Sequence, residues 1–177
     1  MSPFAVGILA VLSLSLVFLL KWGLSRGNNR LATPRPAVYD KAEYHLLDEE
    51  SRSREGFNES IYGGMYLGWI IDSGLHSPEF FKGQESLLEG FLARKVTASE
   101  LYGKVGEALV TDMLSERGDL FTADYFMSVY SQDYEEILAP GEISYERVAD
   151  TWENYAKMRN RLDARYRRWS ETTLSRS

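Results

Sequence analysis

The chain has 177 residues, no cysteine, two histidines and a net charge of −6. That length holds one ordinary domain plus an appendage, and the missing cysteines exclude a disulfide scaffold, a thiolate nucleophile and every cysteine-ligated metal site. The negative charge argues against a general nucleic-acid binder, whose phosphate contacts need a cationic footprint.

The charge is segregated along the chain. Residues 1–37 carry four basic and no acidic residues, residues 38–156 carry 9 basic and 24 acidic, and residues 157–177 carry 7 basic and 2 acidic. Residues 3–20 (PFAVGILAVLSLSLVFLL) are uncharged. At about 1.5 Å per residue they span about 27 Å as a helix, close to a bilayer core. Trp22 follows at the expected interface. The run is too long for a signal-peptide core and no small-residue cleavage pattern follows it. Residues 1–22 are therefore expected to be a single transmembrane anchor, contacting the lipid bilayer through residues 3–22. Lys21, Arg26, Arg30 and Arg35 all follow the run, so the positive-inside rule places the rest of the chain in the cytoplasm. Residues 23–38, with Gly, Asn and two prolines, read as a basic flexible linker.

Residues 39–170 read as a helical domain and 171–177 as a disordered tail. Ile61–Ile71 is apolar almost all round and too short to span a bilayer, which suits a central buried helix. Gly64 and Gly68 within it suit the close approach of a neighbouring helix. Ser77-Pro78 is a helix start that would place Phe80, Phe81, Leu87, Leu88, Phe91 and Leu92 along one side. Thr97-x-x-Glu100 is a capping box opening a helix with the stripe Leu101, Val105, Leu109 and Met113, ended by Gly118. Asp119 or Thr122 caps the next helix, along which Tyr125, Phe126, Val129, Tyr130, Tyr134 and Ile137 recur until Pro140-Gly141. Asp150-x-x-Glu153 opens a last helix with Trp152, Tyr155, Met158, Leu162, Tyr166 and Trp169 on one side. No segment alternates with period two for long enough to demand a strand. The expected fold class is all-α: a single N-terminal transmembrane helix followed by a compact bundle of about five helices.

Chemistry-bearing patterns are sparse. His45, among the carboxylates of Tyr39–His45, could share a metal ion or act as an acid or base. An isolated histidine in a connecting segment is more often structural. Asp72, His76 and Glu79 flank a turn and need not converge. No phosphate-binding glycine loop and no serine-nucleophile elbow is present. The basic run Lys157, Arg159, Arg161, Arg165, Arg167 and Arg168 is read first as pairing with the acidic body, second as lipid contact, and last as a nucleic-acid grip.

Several phrases occur in order: Tyr39-Asp40-Lys41-Ala42-Glu43-Tyr44-His45, then Gly64-Met65-Tyr66-Leu67-Gly68-Trp69-Ile70-Ile71-Asp72, then Asp112-Met113-Leu114-Ser115-Glu116-Arg117-Gly118, Asp133-Tyr134-Glu135-Glu136 and Asp150-Thr151-Trp152-Glu153-Asn154-Tyr155. Together, over roughly residues 39–169, they resemble a family of small bacterial helical domains of unknown function. Members look associated with toxin–immunity loci, so the resemblance implies an immunity-like role.

The expectation is a non-enzymatic binding protein anchored in the bacterial inner membrane, immunity-like, which neutralises or docks a protein partner through an acidic helical surface. That partner would be a cognate toxin or a membrane complex. Asp133, Glu135, Glu136, Tyr134 and Trp69 are the candidate contact residues, and no cofactor or metal is expected. The alternatives are an inner-membrane adaptor or assembly factor, and a metal-dependent hydrolase using His45.

Overall fold

A computed structural model describes residues 38–45, 58–140 and 147–175. At their centre is α1 (Ile61–Asp72), in which every residue from Gly63 to Ile71 is buried. An apolar surface on all sides leaves no face for water, so the other elements pack around it. Its glycines set how closely they come. A Cβ at Gly64 would lie 2.7 Å from the Ala98 carbonyl oxygen, and one at Gly68 would lie 2.7 Å from the Phe91 ring.

The segment after Ser77-Pro78 forms turns before it forms a helix. Gly83 sits at φ +83°, a conformation that suits glycine and breaks the helix. The element α2 therefore spans Glu85–Leu92. The capping box forms as expected: the Thr97 hydroxyl accepts from the Glu100 amide, the Glu100 carboxylate accepts from the Thr97 amide, and α3 (Ala98–Lys104) follows.

The expected continuation of α3 to Met113 does not occur. Gly106 (φ +103°) and Glu107 (φ +54°) turn the chain out of the helix. Ala108–Val110 becomes β2, paired antiparallel with β1 (Val38–Lys41). Val38 lies opposite Val110 and Lys41 opposite Ala108. The all-α expectation is thus corrected to a mostly helical fold with a small two-stranded sheet. Strands of four and three residues are too short for a period-two pattern to register.

Ser115, not Asp119 or Thr122, caps α4 (Glu116–Tyr125). Its hydroxyl accepts from the Gly118 amide and donates to the Leu75 carbonyl. The helix passes through a π-helical turn, Phe126–Tyr130, into α5 (Ser131–Leu138). That wide turn brings Tyr125, Phe126 and Tyr130 together onto Tyr66, with ring centroids 6.3, 4.7 and 5.0 Å away. The three pieces make one rod; counting it once, the described residues hold five helices.

The last helix, α6 (Trp152–Leu174), buries Tyr155, Met158 and Leu162. It runs past residue 170, beyond the expected domain edge. Thr151 caps it by accepting from the Asn154 amide, while the Asp150 carboxylate instead accepts from the Thr97 and Ser99 hydroxyls. The predicted transmembrane anchor, residues 1–22, lies outside the described residues. Among these, no helix is long and apolar enough to cross a membrane, so a membrane-spanning element is not part of the architecture described.

Candidate interaction face

Three of the five candidate contact residues are inside the domain. Asp133, Tyr134 and Trp69 are each 0% exposed. The Trp69 indole N–H donates to Asp163 at 2.8 Å, and its ring packs on Phe121 and Tyr166. Tyr134 packs edge-on against Tyr62 at 5.1 Å. These two residues hold α6 and the rod to α1 and present nothing to a partner.

Asp133 is the acceptor of a clasp. Its carboxylate takes hydrogen bonds from Arg161 (2.6 Å), Arg165 (two at 2.7 Å) and the Tyr125 hydroxyl (2.8 Å). Arg161 also grips exposed Glu136 through both nitrogens, at 3.1 and 3.2 Å. Two cations of the basic tail thus close α6 onto the acidic rod, the internal pairing ranked first from sequence. The same pattern recurs at Asp72, which accepts from Arg94 (2.8 Å) and the Tyr155 hydroxyl (2.7 Å). Its carboxylate is committed there, so the Asp72–His76–Glu79 grouping does not assemble.

Burial pushes the Asp133 carboxyl up, but the hydrogen bonds from Arg165, Tyr125 and Arg161 outweigh it and hold it below its ordinary value. A depressed folded pKa contributes stability that is present above the unfolded value of about 3.9 and is lost as pH falls through the folded value. We therefore expect the stability gap between wild type and Asp133→Asn to be largest near neutrality and to shrink once pH drops below about 4. Chemical denaturation of both chains across that range checks this; a gap independent of pH would contradict it.

His45 is locked in place. Its Nε2 lies 2.8 Å from Asp40 Oδ1, its ring packs at a tilt against Tyr62 with centroids 4.8 Å apart, and Tyr102 donates to the other Asp40 oxygen. Asp40 and Tyr102 are buried and join β1 to α3. Among the described residues no three His, Asp or Glu side chains are grouped to hold a metal ion. His76 keeps a buried Nδ1 without a hydrogen-bond partner among the described residues; burial lowers its pKa and its ring stands edge-on to Phe81.

What faces outward is a line along the rod. Glu116, Leu120, Asp124, Met127, Ser131 and Glu135 are all exposed and follow one another at helical steps of three or four. Leu120 is 43% and Met127 58% exposed. Beside them, between α4 and α6, lies an open cleft of about 240 Å³. Phe121, Tyr125 and Trp169 form its floor, with Asp124, Arg168 and Thr172 at the rim. Asp124 accepts the Trp169 indole N–H at 2.8 Å. Of the sequence-derived candidates, Glu135 lies on this line and Glu136 next to it. Leu120, Met127 and the cleft were missed, although the complement of the aromatic stripe would have pointed to them.

The domain is of a small, mostly helical class with a short two-stranded sheet, an acidic body and a basic closing helix. The chain belongs to the family described as domain of unknown function DUF7832, whose sequence model matches residues 38–148, more than half of its 177 residues. No curated protein and no solved structure matches it. Nothing in the family description indicates an immunity protein, and no spanning helix is found among the described residues, so the expectation of a transmembrane immunity protein is set aside. The match stops before α6, the helix that carries the arginines of the clasp.

Proposed function

We propose that this domain is a non-enzymatic protein-docking module, and that its working face is the outer line of the rod together with the adjoining cleft. The observation that carries this reading is the exposure of Leu120 and Met127 in the middle of a row of carboxylates on a helix pinned from behind. Apolar groups at the centre with charged groups around them are the anatomy of a protein interface. The pinned rod fixes their positions before contact, which lowers the ordering cost of binding. Glu116, Asp124 and Glu135 give the face a negative field, which favours a partner with a basic edge and speeds its approach.

Leu120→Glu/Met127→Glu in the full-length chain tests it. Both positions are exposed, so the unfolding midpoint should stay close to wild type. Protein partners that co-purify with wild type should be lost. Retention of the same partners by the double variant would contradict the proposal.

A further inference from the structure

We infer that the cleft between α4 and α6 receives the C-terminal residue of the docked partner, its apolar side chain on the ring floor and its α-carboxylate against Arg168. The inference rests on the docking reading above and names the group the partner presents. Size limits the occupant first. At about 240 Å³ the cleft is smaller than the roughly 300–1,000 Å³ of sites that hold cofactors or drug-sized ligands, so it admits a single side chain. Its floor selects an aromatic or long aliphatic one. Phe121 stacks on Tyr125 with centroids 5.1 Å apart and meets the Trp169 ring edge-on at 5.4 Å, and a further ring or alkyl chain packs on such a surface.

Charge narrows it further. Three charged residues line the cleft: Asp124, Arg165 and Arg168. Arg165 is committed to Asp133 through two nitrogens. Asp124 gives one carboxylate oxygen to the Trp169 indole and keeps the other free among the described residues. The Arg168 guanidinium has no ion-pair partner there either, while Arg167 and Glu171, exposed on the same helix, do not line the cleft. What remains unspent over the apolar floor is one guanidinium and one acceptor oxygen. A residue inside a chain does not answer both demands, because apolar side chains carry no charge and acidic ones lack the body to cover three rings. A chain-terminal apolar residue joins them. Its side chain fills the cleft, its α-carboxylate meets Arg168 in a charge-assisted pair, and its own amide N–H donates to the free Asp124 oxygen. Capture of a terminal carboxylate is a recurring mode of peptide recognition. The residues before it leave the cleft beside Asp124, which lies on the outer line between Leu120 and Met127, so the tail runs onto the docking face.

The test is fluorescence anisotropy on the full-length chain with a labelled peptide, Ala-Lys-Ala-Lys-Ala-Phe, made with either a free or an amidated C-terminus. The free acid should bind, and the amide should bind about fivefold more weakly, the scale of one exposed charge pair. Arg168→Gln should weaken the acid by a like factor and leave the amide unchanged, so that amidation no longer matters. Thr172→Phe fills the mouth of the cleft from an exposed position and should block both peptides. Four results would overturn the inference: no binding of the acid, equal binding of acid and amide, an amidation effect that survives in Arg168→Gln, or binding that persists in Thr172→Phe. Free phenylalanine that competes as well as the peptide would overturn it too, by making the ligand an amino acid. If the peptide fails to bind but Leu120→Glu/Met127→Glu still loses its protein partners, the docking face stands without this occupant. If the peptide binds and the double variant loses nothing, the cleft stands and the docking face falls.

Discussion

Asp133→Ala should destabilise the domain by about 3 kcal/mol, because it removes a buried carboxylate whose hydrogen bonds from charged donors are each worth about 1.5–3 kcal/mol, discounted for the partial exposure of Arg161 and Arg165. The substitution deletes a carboxylate that accepts four hydrogen bonds, three of them from two guanidinium groups. Arg161 keeps Glu136 as a partner, whereas among the described residues no other carboxylate pairs with Arg165. Tyr125 also loses the acceptor for its hydroxyl, an additional penalty for a buried donor. At roughly 2–4 °C per kcal/mol for a chain of this size, the midpoint should fall by about 6–12 °C. The informative companion is Glu136→Ala, which removes an exposed carboxylate that Arg161 can do without and should leave the midpoint close to wild type. A thermal melt of the two variants decides the matter. Equal effects would mean that the clasp is a surface ion pair and not the closure of the fold.

The second large effect is steric. Gly64→Ala places a methyl group 2.7 Å from the Ala98 carbonyl oxygen and 3.0 Å from Ser99 Cα, both backbone atoms. Backbone cannot rotate away as a side chain can, so α1 and the start of α3 must separate. Alanine is worth about 1 kcal/mol over glycine in a helix interior, but forced overpacking costs about 1–3 kcal/mol and more where the neighbour is rigid. The net expectation is a loss of about 2 kcal/mol. Gly103→Ala isolates the helix-propensity part. Nothing lies within 4 Å of a Cβ there, so that variant should gain roughly 0.5–1 kcal/mol. Denaturant midpoints of opposite sign for the two alanines confirm the close approach; losses at both positions would refute it.

These cases mark what sequence patterns reveal and what they hide. Ile61–Ile71 was legible as the central helix because an unbroken apolar surface admits only burial. The capping box at Thr97 and Glu100 was legible because it depends on neighbours three residues apart. The sheet was not legible, since its strands meet across 66 residues of intervening chain and each is too short to show a period. Leu109 illustrates the difficulty: its spacing from Leu101 and Val105 fits a helix, yet Gly106 and Glu107 at positive φ redirect the chain before it. The same limit affected the candidate face. Asp133 sits among glutamates and has the composition of a solvated surface. Its inward direction is set by arginines 28 and 32 residues further along, which no local pattern encodes. Conversely, Leu120 and Met127 have the composition of a core and stand outside because the aromatic residues already occupy the inward side of the rod.

Methionine oxidation gives the most direct test of the proposed face. Met65, Met113 and Met158 are 0%, 2% and 0% exposed, whereas Met127 is 58% exposed, so among the described residues one thioether is open to a soluble oxidant. The measurement is the rate of Met127 sulfoxide formation under a peroxide pulse, read by peptide mass spectrometry, in wild type and in Leu120→Glu at the concentration found in the cell. If the rod is a docking face, Met127 is protected in wild type and oxidises faster once the glutamate disrupts the contact, while the buried methionines stay reduced in both. Equal Met127 oxidation in the two chains would contradict the account.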